Sequence, residues 1–78
     1  MAHMSIIYTV EDGENGMGIS SYGAFSSLAA AQAEALRRRE RYRPKDWAVD
    51  RLGIEDNVVE SWACGCDYIS IRRMEVCS

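Results

Sequence analysis

One run in this sequence is long enough for a regular helix, and it decides what the rest of the chain has to be. Residues 25–42 read FSSLAAAQAEALRRRERY. Leu28, Ala31, Ala35 and Leu36 recur at three- and four-residue steps, which puts them on one helical face. The alanines crowded around them let that face lie close to a partner. Ser26 or Ser27 is placed to cap the first free amides, and Phe25 to pack back onto the first turn. At the other end Arg37, Arg38, Arg39 and Arg41 complement the negative pole of the helix dipole. Pro44 stops the helix, because the residue before a proline is pushed out of the helical region. Outside this run the chain reads as strands and turns, so the helical face is expected to be buried against a sheet.

The strands follow from alternation and from turn residues. Residues 5–11 alternate Ile6, Tyr8 and Val10 with Ser5, Ile7 and Thr9, and Ile7 on the second face marks a strand that is central or at least covered on both sides. Asp12-Gly13 and Asn15-Gly16 place a hairpin at 12–16. Residues 18–25 return as a strand weakened by Gly18 and Gly23. A third strand is expected at 47–54, with Trp47 and Val49 on one face, then a tight turn at Glu55-Asp56-Asn57. Residues 58–64 form a fourth strand, with Val58 and Trp62 facing away from Val59 and Ala63. After a turn at 64–67, residues 68–76 close the chain with Ile69 and Ile71 as the apolar pair. The order β-β-α-β-β-β predicts an α+β domain: two layers, a mostly antiparallel sheet, and one helix packed on one face. If each connection reverses direction, the 12–16 hairpin, the helix C-terminus and the 64–67 turn share one end. The arginines then meet Asp12 and Glu14.

With 78 residues the chain makes one domain. Residues 1–4 resemble a vector-derived leader and 5–78 form the domain, so the one histidine, His3, falls in the leader. No apolar run approaches the roughly 20 residues of a membrane span, and no signal peptide is visible. A cytoplasmic location is therefore expected, with Cys64, Cys66 and Cys77 as thiols. The net charge of −3 is mild, but it is segregated. Residues 37–45 hold six bases against Glu40, a net +5, and residues 46–67 hold six acids against Arg51, a net −5. Such a split favours oriented contact with a charged partner.

The chemistry-bearing patterns are few. Cys64-Gly65-Cys66 is closer spaced than the usual zinc pair, and no second pair accompanies it, so no metal is expected. A bridge from Cys64 or Cys66 to Cys77 requires their α-carbons to come within about 7 Å. The serines have no base beside them, so no catalytic residue and no cofactor is assigned and the chain is read as a non-enzyme. The arginine run could contact phosphates, with Tyr42 stacking on a base, but residues on a helix fan out by about 100° each, which favours a solvated helix end. Trp47 and Trp62 serve a thin core or anchor an interface.

The segments IIYTVEDG at 6–13, GAFSSLAAAQAEA at 23–35 and WAVDRLGI at 47–54 carry a resemblance. Together they resemble small phage and mobile-element proteins in which a hairpin turns through Phe-Ser-Ser into an amphipathic helix followed by further strands. The arrangement is similar to small anti-CRISPR proteins that inhibit type I interference complexes. The resemblance implies an inhibitor that binds a host protein or ribonucleoprotein complex and blocks its target DNA by protein–protein contact. No direct nucleic-acid contact, membrane or small-molecule substrate is implied. The partner-binding residues expected on this reading are the turn acids Asp12, Glu14, Glu55 and Asp56, with Trp62 as the anchor. The alternative is a small nucleic-acid-binding or regulatory module that uses the basic run from Arg37 to Lys45.

Overall fold

The computed structural model describes residues 4–14, 18–41, 47–49 and 57–77. Its elements follow the expected order: β1 (Met4–Glu14), β2 (Gly18–Phe25), α1 (Leu28–Arg41), β3 (Ala48–Val49), β4 (Val58–Cys64) and β5 (Asp67–Cys77). The strands form one five-stranded sheet in the order β2-β1-β5-β4-β3, and every pairing is antiparallel. The helix lies on one face of this sheet, so the domain is α+β with two layers. The first and last strands, each of 11 residues, pair along their whole length from Met4↔Cys77 to Glu14↔Asp67.

Register sorts the side chains. Tyr8 and Val10 of β1 align with Phe25 and Gly23 of β2, and Val10 and Asp12 align with Ile71 and Ile69 of β5. Ile71 and Ile69 in turn align with Glu60 and Trp62 of β4. This set faces the helix, as the contact of Trp62 with Arg39 and that of Glu60 with Gln32 require. The core is correspondingly thin: Val10, Ala31, Ala35, Ile69 and Ile71 are fully buried, and Tyr8, Phe25, Leu28, Trp47 and Trp62 pack around them. Two alanines at the centre bring the helix backbone down onto the isoleucines, so close packing replaces side-chain bulk. Of the two candidate serines Ser27 is the cap, its Oγ accepting from the Ala30 amide at 3.1 Å, and the helix begins at Leu28.

Several expectations are revised. Leu36 is 48% exposed and does not face the sheet, because it lies roughly 100° beyond Ala35 around the helix. The buried stripe runs instead through Ala31, Glu34, Ala35 and Arg38. β1 does not stop at Glu11; it continues through Asp12-Gly13 to Glu14, with its register against β2 shifting between Asp12 and Gly13. Of the expected strand at 47–54, Ala48–Val49 is described as strand; residues 50–56 lie outside the described residues.

Candidate protein-docking site

Three groups of polar side chains organise the surface around this core. The first is internal. Arg38 projects from the helix between α1 and the sheet, only 6% exposed, and its Nη1 donates to Asp12 Oδ2 at 2.8 Å. Its Nε donates to Glu34 Oε2 at 2.9 Å, and Glu34 also pairs with Arg37. Gly23 lies directly beneath: a side-chain carbon there would come within 3.3 Å of the Arg38 guanidinium. A buried charge requires such pairing, since removing one partner strands the others away from water.

The second group lies on the sheet face turned away from the helix. Arg72 donates from Nε to Glu11 Oε1 at 2.6 Å and from Nη1 to Asn57 Oδ1 at 2.9 Å. The hydroxyls of Ser61 and Ser70 meet at 3.0 Å across β4 and β5. Tyr68, on the same face, has its phenol pKa raised, first by burial and then by the negative charge of Glu11.

The third group is a surface groove of about 340 Å³ where α1 meets β4, lined by Gln32, Ala33, Leu36, Arg39, Glu60 and Trp62. The guanidinium of Arg39 sits 4.3 Å from the centroid of the Trp62 ring. That is stacking distance for a cation on an indole. Arg39 Nε is buried with no hydrogen-bond partner among the described residues. Gln32 spans the groove to both carboxylate oxygens of Glu60 at 3.2 and 3.3 Å. Leu36 and Arg39 thus stand one turn apart on the helix side of the groove, with Trp62 of β4 opposite.

The expected site residues therefore do not form one surface. Asp12 is a correction: it is a strand residue, 3% exposed and bound to Arg38, so it is not a solvated acid free to meet a partner. Glu14, at the end of β1, is exposed. The expected meeting of the arginine run with Asp12 is present through Arg38. Glu55 and Asp56 lie outside the described residues. Trp62 is half-buried, packing on the core with one side and lining the groove with the other. Leu36 and Arg39 were not singled out as contact residues. Leu36 lies three and four residues from Ala33 and Gln32, and Arg39 three from Leu36, and that spacing was the available signal.

Among the described residues no three His, Cys, Asp or Glu side chains converge as a metal site, and no helix is long and apolar enough to cross a membrane. Comparison of the chain with protein-family models, curated proteins and solved structures found no match.

Proposed function

We propose that this chain is a small protein-binding inhibitor that docks through the groove between α1 and β4, with Trp62 as its anchor. One observation carries the reading: an exposed leucine, a half-buried tryptophan and an arginine stacked on it line the same groove. Tryptophan and arginine are the residues on which binding energy concentrates, and a neighbouring apolar side chain helps exclude water around them. The partner in this proposal is a host ribonucleoprotein, a type I CRISPR interference complex, whose DNA-binding surface is blocked by contact. That identity rests on the resemblance in sequence pattern. Glu14 supplies a solvated carboxylate for salt-dependent attraction to a basic groove. The same role is proposed for Glu55 and Asp56.

The test is a gel-shift assay in which purified type I effector complexes bind target DNA with and without this protein. The protein is expected to abolish the shifted complex, and Trp62→Ala to weaken that inhibition by about 2 kcal/mol or more. Leu36→Asp is expected to weaken it as well, while leaving the melting temperature unchanged because Leu36 is outside the core. The rival reading, nucleic-acid binding by the arginine run, makes the opposite prediction. If the protein alone retards DNA or RNA at physiological salt, and reversing Arg39 and Arg41 removes that retardation, the inhibitor reading fails.

A further inference from the structure

The three cysteines divide into a pair and an outlier. β5 carries Asp67 and Cys77 at its two ends, 11 residues inclusive. At about 3.3 Å per residue the strand separates them by roughly 33 Å. A bridge within one chain from Cys64 or Cys66 to Cys77 is therefore excluded, since a disulfide needs α-carbons within about 7 Å. Cys64 and Cys66 instead meet at a two-residue turn, Cys64 just before it and Cys66 within it. Cys64 ends β4 and aligns with Asp67, and the turn residues between them are Gly65 and Cys66. Gly65 has φ +60°, a left-handed conformation natural for glycine at the first central position of a hairpin turn. Open space surrounds the position its side chain would take. Both thiols are free, and Cys66 is exposed.

We propose that Cys64-Gly65-Cys66 is a thiol–disulfide exchange site that takes low-molecular-weight disulfides of the glutathione class. Two residues apart, the α-carbons are separated by at most about 7 Å, and a turn shortens that into the range a disulfide spans. The exposed Cys66 is the entry point. Its thiolate attacks one sulfur of the oxidant, forming a mixed disulfide and releasing one thiolate. The Cys64 thiolate then attacks the Cys66 sulfur and expels the second. The two protons lost by the cysteines pass to the two departing thiolates, so the pair is oxidised by two electrons and the oxidant reduced by two. The site needs an accessible thiol, a resolving thiol within reach and a turn that can close a small ring. The hairpin supplies the first directly, the second by its spacing, and the third through Gly65.

The experiment incubates the intact protein with oxidised and reduced glutathione at graded ratios, quenches with an alkylating agent, and reads intact mass and tryptic peptides. Cleavage after Arg51 and Arg72 leaves Cys64 and Cys66 in one peptide, 52–72, and Cys77 in another. The expected result is loss of two alkylatable thiols and two hydrogens from peptide 52–72, reversed by excess reduced glutathione. Cys77→Ser is expected to keep this change; Cys64→Ser and Cys66→Ser are each expected to abolish it. The proposal is overturned if the wild-type protein carries only glutathione adducts or chain-to-chain disulfides, if peptide 52–72 stays reduced throughout, or if Cys77→Ser removes the change. The peptide map of the wild-type protein decides the matter without any variant having to fold.

Discussion

Among individual residues, Arg38 has the largest structural consequence. It is the charge that joins helix to sheet, held by Asp12 on one side and Glu34 on the other. Arg38→Met removes the buried cation that Asp12 and Glu34 share and should cost about 3–5 kcal/mol, read as a lower denaturant midpoint. Replacing Arg38, Asp12 and Glu34 together by apolar residues of similar volume should recover most of that loss. In the sequence Arg38 was indistinguishable from the arginines beside it, because which one points inward depends on how the helix is rotated over the sheet. Asp12 was misread for a local reason. Asp-Gly is a strong turn signal, and here it is overridden by pairing with β5, which carries the strand on to Glu14. Tyr68 gives a test on the opposite face. Its raised pKa means the folded state holds the phenol proton longer than the unfolded state, whose ordinary value is 10.0. This contribution to stability is fully present below pH 10 and is lost as pH rises through the folded value. Tyr68→Phe should remove a step above pH 10 from the tyrosinate absorbance titration and flatten the alkaline fall in stability.

At the scale of elements, the helix and its seat were the most legible part of the chain. Alanines at 31 and 35 repeat with the helical period, and both are fully buried against Val10, Ile69 and Ile71. Ala31→Leu should overpack this contact by about 1–3 kcal/mol, whereas Ala33→Leu, on the exposed side, should melt like the parent. Ser27→Ala removes the cap on the Ala30 amide and should cost about 0.5–2 kcal/mol in a thermal or denaturant melt. Leu36 was drawn into the buried set because it is apolar and follows Ala35. Glu34 and Arg38 were left out because they are charged. The structure reverses both assignments, since the stripe that meets the sheet includes whatever residues the helical rotation puts there, and the charges can enter once paired. The docking groove was legible only in Trp62. Its other wall depends on how α1 sits over β4, which no run of neighbouring residues encodes.

For the whole molecule, local signals gave the strand count and the antiparallel hairpins but not the strand order. The pairing of β1 with β5 joins residues at opposite ends of the sequence, and alternation within each strand carries no information about which strand lies beside it. That pairing places the first strand and the last at the centre of the sheet, with β2 and β4 outside them. A fragment ending at residue 66 keeps both β1 and the helix but lacks Ile69 and Ile71. It should show no cooperative melt by circular dichroism, although most of its elements are present. Ile71→Ala in the full chain should cost about 2–5 kcal/mol in a denaturant titration. The same arrangement governs how the protein comes into being on the ribosome. β1 emerges first, yet its inner edge stays open until β5 has been made. The nascent chain must therefore carry that strand edge unpaired with β5 while residues 15–66 are made, and the sheet can close only after residues 67–77 have left the exit tunnel.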